Sequence, residues 1–182
     1  MFRERVDNIQ LSIRKISEKA ADQDEVVRFD IGQPSFDTPE HVKEATKEKI
    51  DGKQGYTPVR GIEELRKQIA SEENLKDGID IEKENVMATT GGMGAIYAVF
   101  AAMLGKEDAA VFNDPCWGPY KLISEVNGNK WEQVEYFDGN ELREEAKQEI
   151  SDAEIVVVNT PSNPTGRMLT EEQAKTIGSF CE

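Results

Sequence analysis

Residues 153–166 read AEIVVVNTPSNPTG. Ile155, Val156, Val157 and Val158 form a short, wholly β-branched run, the composition of a strand buried on both faces. Two asparagines, two prolines and a glycine follow within the eight residues 159–166. Such residues stop a strand and fix a rigid turn. The pairing of a buried strand with a rigid exit raises the question of what Asn163 is held there to touch.

The same pattern recurs upstream. NVMATT (85–90) reads as a strand, and GGMGAIYAVFAAML (91–104) as a glycine turn opening an apolar helix. DAAVFND (108–114) is a strand followed by a turn and helix in PCWGPYKLISEVNG (115–128). KWEQVEYF (130–137) is a strand, and residues 140–150 read as a helix carrying Leu142, Ala146 and Ile150. After the strand at 153–160, Thr170 and Gln173 have the spacing of a capping box for a last helix. Apolar strands alternating with helices predict a three-layer α/β/α fold around a mainly parallel sheet.

Ahead of this alternation, Ile9, Ile13, Ile16 and Ala20 share one face of an amphipathic arm within residues 1–21. A short strand follows at 26–30. Thr38 suits an N-cap and Pro39 the first helical position of a helix carrying Val42, Ala45 and Ile50. A loop, DGKQGYTPVRG (51–61), leads to a helix with Ile62, Leu65 and Ile69 that ends near Gly78.

Composition bounds the function. The 182 residues carry 36 acidic and 22 basic side chains, a net charge of −14 that argues against nucleic acid or an anionic membrane as partner. An acidic soluble surface and adaptation to a high-salt cytoplasm both fit, with 14 lysines weighing against the second. No apolar run nears the roughly 18 residues of a membrane span, and the first ten lack a secretory core. Cys116 and Cys181 form no metal-binding pattern. A reduced, cytoplasmic protein is expected.

In parallel sheets, ligands bind beyond the carboxyl ends of the strands. Three of those ends carry unusual chemistry: TTGGMG, NDPCWGPY and NTPSNPTG. Gly92 and Met93 would offer backbone N–H groups at a helix N-terminus, suited to phosphate, although a glycine turn serving packing fits the same letters. Trp117 could stack on a flat ring or simply be buried. Asn163 could present donor and acceptor to a ligand, or be an ordinary turn asparagine ahead of proline. Together the three describe a planar, phosphorylated, hydrogen-bonding ligand, and pyridoxal 5′-phosphate fits.

These residues carry a resemblance. DIGQPSFDTPEHV (30–42), GYTPVRGIEELR (55–66), TTGGMGA (89–95), DPCWGPY (114–120) and NTPSNPTG (159–166) resemble, in order, landmarks of the fold type I pyridoxal-phosphate aminotransferases of class I/II, near the aspartate aminotransferase group. The resemblance implies residues 1–38 as N-terminal arm and substrate loop. It implies residues 39–182 as the first half of the cofactor-binding large domain. Gly32 would meet the substrate α-carboxylate, and Tyr56 the cofactor phosphate of a neighbouring subunit. Gly92 and Met93 would bind phosphate through backbone N–H groups; Met93 stands where the family often has a hydroxyl or lysine. Trp117 would stack on the pyridine ring and Asn163 hydrogen-bond its phenolic oxygen, beside the substrate. Cis peptide bonds are implied at Asn163–Pro164 and Asp114–Pro115.

The family's Schiff-base lysine, its aspartate for the pyridine nitrogen and its carboxylate-binding arginine belong to later segments. The 182 residues thus resemble the front of a protein about twice as long: a fragment, a truncated product or half of a split enzyme. The expected substrates are an amino acid and a 2-oxo acid, and the expected partner a second copy or a complementing C-terminal half. The alternatives are an inactive module that dimerises or holds cofactor, and a lyase or synthase on the same scaffold. His41, the sole histidine, is expected on the surface, with no hydrolase triad and no metal site.

Overall fold

The computed structural model describes residues 12–21, 23, 26–27, 32, 34–76 and 79–181. They fall into two compact units, one within residues 12–87 and one within 88–181.

The second unit holds the sheet. Its elements are α4 (Gly91–Met103), β1 (Ala109–Asn113), α5 (Pro119–Asn127), β2 (Lys130–Val134), β3 (Phe137–Asp138), β4 (Glu141–Leu142), α6 (Glu144–Ser151), β5 (Ile155–Val157) and α7 (Glu171–Cys181). The main sheet is parallel, in the order β2-β1-β5. β1 is its centre, and Ala110, Val111 and Phe112 are fully buried.

Side chains along a strand alternate between faces, so β1 divides the core in two. Val111 joins Val134, Tyr136, Ala146, Ile150 and Ile177, a layer built with α6 and α7. Ala110 and Phe112 join Phe100, Leu104, Tyr120 and Ile123, a layer built with α4 and α5. The register agrees: Val156, opposite Val111, packs on the first layer, while Ile155 and Val157 pack on the second. Phe112 stacks on Phe100, Tyr120 and Trp131, with centroids 6.2, 5.6 and 6.4 Å apart. The expected three-layer α/β/α architecture is therefore present.

The other unit is helical: α1 (Ser12–Ala21), α2 (Glu40–Ile50), α3 (Glu63–Asn74) and a 3-10 turn at Lys83–Asn85. Arg66 Nη1 donates to the Lys83 carbonyl at 2.8 Å, tying that turn to α3.

Several expectations are corrected. Residues 85–90 form no strand: Val86 is extended, but a strand needs a ladder, and no described strand pairs with it. Leu142 lies in β4 rather than in a helix. Asp138, Gly139 and Asn140 make a hairpin turn there, with Gly139 at φ 61°, the sign of a type II′ turn. Pro39, not Thr38, occupies the N-cap of α2, its carbonyl accepting from Val42 and Lys43 N–H. α3 ends at Asn74, before Gly78, which lies outside the described residues. Most of the strand expected at 26–30 and the arm before Ser12 also lie outside them. Among the described residues, no helix is long and apolar enough to cross a membrane.

Candidate functional site

β1 and β5 are neighbours, yet their exits part. The chain leaving β1 turns to α5 on one face, and the chain leaving β5 turns to α7 on the other. Divergence of adjacent strand exits opens a crevice at their carboxyl ends, the usual ligand position in open α/β sheets. Two clefts lie there. The smaller is lined by Phe112, Trp117, Tyr120, Val157, Asn159 and Asn163 among others. The larger, about 660 Å³ with its open mouth, is lined by Asp114, Glu135, Tyr136 and Arg167 among others. Asn113, Pro115, Asn159 and Ser162 border both.

The exit of β1 is held by its own polar groups. Asp114 N–H donates to the Val134 carbonyl at 3.0 Å, and Gln133 Nε2 donates to Asp114 Oδ1 at 2.5 Å. Asn113 Oδ1 accepts from Tyr136 N–H at 3.0 Å. Trp117, half-buried, meets the Tyr120 ring edge-on, centroids 5.4 Å apart at 84°. The exit of β5 is a closed turn: Ser162 N–H donates to the Arg167 carbonyl at 2.8 Å and Gly166 N–H to the Ser162 carbonyl at 2.6 Å. Asp114–Pro115 and Asn163–Pro164 are cis, as implied by resemblance; Thr160–Pro161, for which no expectation was drawn, is cis as well.

Beneath the crevice, the Tyr136 hydroxyl donates to the Val111 and Val157 carbonyls at 2.8 and 3.1 Å, bridging β1 and β5. Burial pushes its phenol far up, so it remains a neutral donor. Partial burial also pushes the Cys116 thiol up, against the pull of the Lys121 ammonium, which leaves it a poor nucleophile.

At the start of α4, Gly91 has φ 75°, and open space lies where a Cβ on Gly91 or Gly92 would point. Thr90 provides no side-chain cap, so the first-turn N–H groups, those of Gly92 and Met93 included, lack that partner. Ile96, one turn after Gly92, packs in the same cluster as Trp117. The aromatic ring and the Asn163 residue share the smaller cleft, while the uncapped start of α4 is joined to the same unit through Ile96 and lines neither cleft. That donor set fits a phosphorylated, planar ligand such as pyridoxal 5′-phosphate. Tyr56, fully exposed on the loop between α2 and α3, and exposed Gly32 belong to the other unit and are placed there alone. His41 is exposed. No lysine lines either cleft, and no metal-binding cluster occurs among the described residues.

Asn113, Tyr136 and Asn159 were missed as site residues. The two asparagines had a signal: each stands where an apolar strand run gives way to a proline turn.

The family model "Aminotransferase class I and II" matches residues 24–182. The chain is 37% identical over 178 residues to an aspartate aminotransferase of Pyrococcus horikoshii, covering 93% of this chain and 45% of that protein. It is 33% identical over 168 residues to an aspartate aminotransferase of Bacillus subtilis, covering 90% and 42%. Among solved structures it matches the Thermus thermophilus aspartate aminotransferase with maleate at a TM-score of 0.86 and 29% identity, over 97% of this chain and 49% of that one. The chain spans about half the length of the curated relatives it matches.

Proposed function

Because this chain belongs to the class I and II aminotransferases, we propose that it forms the front part of a pyridoxal 5′-phosphate enzyme moving an amino group from an amino acid to a 2-oxo acid. One observation carries the reading: Trp117 and Asn163, from separate strand exits, line a single cleft. Residues 39–182 then belong to the cofactor-binding domain, and residues 1–38 to the arm and substrate loop.

The bound cofactor supplies an electron sink for the substrate α-carbon. This chain's residues hold and orient it. Gly92 and Met93 N–H groups receive the phosphate, with the α4 dipole favouring the anion. Trp117 stacks on the ring and excludes water from one face. Asn163 Nδ2 donates to the phenolic oxygen, favouring its ionised form. Gly32 offers its backbone to the substrate carboxylate, and Tyr56 reaches the phosphate held by a second subunit, making association part of the site. Free Cys116 and Cys181 suit a reducing cytoplasm.

Among the described residues no lysine lines either cleft, which favours a second reading for the 182 residues acting alone, a cofactor-holding or dimerising module without turnover. No base is then positioned to move the substrate proton. A lyase or synthase shares the same residues and is separated by product analysis. The test is pyridoxal 5′-phosphate binding, followed by quenching of tryptophan emission, together with amino-donor turnover in protein of confirmed mass. Binding weakened by Trp117→Phe and Asn163→Ala is expected, without turnover above free cofactor. Turnover from the 182 residues alone overturns the second reading, and binding indifferent to both substitutions overturns the first.

A further inference from the structure

The loop from Asn159 to Leu169 contains two prolines, which donate no backbone hydrogen bond, and lies outside any helix or strand. Its polar groups must find partners elsewhere. Two side chains just past β5 provide them. Thr160 Oγ1 accepts from Leu169 N–H at 3.0 Å. With the Asn159 amide oriented by its neighbours, Oδ1 accepts from Asn163 N–H at 3.1 Å and Nδ2 donates to the Pro161 carbonyl at 3.2 Å, an assignment made from the partners rather than seen directly. The reverse amide orientation would set oxygen against oxygen and N–H against N–H, so the partners determine the assignment. Asn159 is half-buried, lies two residues beyond β5, and borders both clefts. It therefore connects the rigid sheet to the backbone of the exposed residue Asn163.

We propose that Asn159 is a positioning residue for Asn163: its carboxamide, anchored at the end of β5, fixes the Asn163 backbone so that this side chain stands in the cleft before a ligand arrives. Ordering a loop residue at the moment of binding weakens affinity, and a loop already fixed avoids that loss. The role in binding rests on the reading of Asn163 as a cofactor contact; the clamp itself does not. An alanine at 159 removes both bonds, whereas an aspartate keeps the acceptor for Asn163 N–H and loses the donor to Pro161.

Residue-resolved amide exchange in Asn159→Ala and Asn159→Asp tests the clamp, with Val111 and Phe112 amides in β1 reporting the fold. Pyridoxal 5′-phosphate titration of the same proteins, with Asn163→Ala as reference, tests the role. In Asn159→Ala, Asn163 N–H should exchange about three- to tenfold faster while β1 is unchanged. Asn159→Asp should keep most of the protection. Cofactor affinity should fall in Asn159→Ala by no more than in Asn163→Ala. Unchanged exchange at Asn163 in Asn159→Ala overturns the clamp. Faster exchange without loss of affinity, while Asn163→Ala does lose affinity, overturns the positioning role. If Asn163→Ala binds as the parent does, the cofactor reading of Asn163 fails, and the clamp stands or falls on exchange alone. If Asn159→Ala unfolds, Asn159→Asp decides: lost protection at Asn163 with β1 intact refutes it.

Discussion

β1 and α3 belong to different units, and they are packed very differently. Of the fifteen buried apolar residues among those described, fourteen lie in residues 88–181 and only Ala70 lies in α3. Phe112 is 0% exposed, whereas Leu65 of α3 is 47% exposed. α2 buries no residue at all. The apolar spacing of Val42, Ala45 and Ile50 or of Ile62, Leu65 and Ile69 was as regular as anything in the second unit. Periodicity shows that a helix has an apolar face; it does not show what covers that face.

The sharpest way to break this contrast is to truncate one residue in each unit. Phe112→Ala removes a ring stacked on three others and should cost about 3–5 kcal/mol, while Leu65→Ala should cost under about 1 kcal/mol. Urea unfolding of both variants measures the difference, and equal losses would show that the helical unit has a core of its own. Tyr136→Phe removes a buried donor shared by the Val111 and Val157 carbonyls. It should cost about 0.5–1.5 kcal/mol in the same assay, with unfolding of the β1–β5 pair seen first in amide exchange.

Helix starts cut across this contrast, since α4, α5 and α6 of the second unit lack a side-chain cap just as α2 and α3 do. α7 opens on a reciprocal box, Thr170 N–H donating to Gln173 Oε1 at 3.0 Å and Gln173 N–H to Thr170 Oγ1 at 3.1 Å. Thr170→Ala should cost about 1 kcal/mol by thermal or urea melting, whereas Thr38→Ala, ahead of α2, should be neutral.

The smallest effect is electrostatic. Glu63, at the start of α3, meets Lys67 at 2.8 Å and Lys83 at 2.6 Å. Hydrogen bonds from Lys67 and Lys83 hold its carboxyl down at about 2. A lowered folded value means that the contribution is complete above the ordinary carboxylate range and is lost as pH falls through about 2. NMR titration of the Glu63 carboxyl should show this low midpoint, and Lys83→Met should raise it. An ordinary midpoint in the parent would remove the pairing from the account of this unit.

The legible parts of the molecule were those in which pattern and packing agree. Ile155–Val157 and Ala109–Asn113 are strands because β-branched and aromatic runs fill both layers, and the Thr170–Gln173 box is a local rule. Residues 85–90 have strand composition, but strand pairing is non-local and no described partner exists. Leu142 fitted the helical period expected over 140–150, but the Gly139 turn places it in a hairpin, opposite Phe137. In the candidate site, Trp117 and Asn163 were visible as odd chemistry at strand ends. Tyr136 was invisible, because a buried tyrosine is ordinary in sequence until its hydroxyl is seen between two strands.

β1 has a consequence for how such a chain tolerates insertion and deletion. Its odd and even residues belong to different layers, Val111 to one and Phe112 to the other. Losing one residue inside Ala109–Asn113 would exchange those assignments along the strand, sending a phenyl ring into the space of an isopropyl group and the reverse. A substitution there damages one layer, but a one-residue deletion damages both. The turn at Gly139, which serves only a two-stranded hairpin, is not bound in this way. Within this sheet, length is therefore the less negotiable property of the central strand, and identity the more negotiable one.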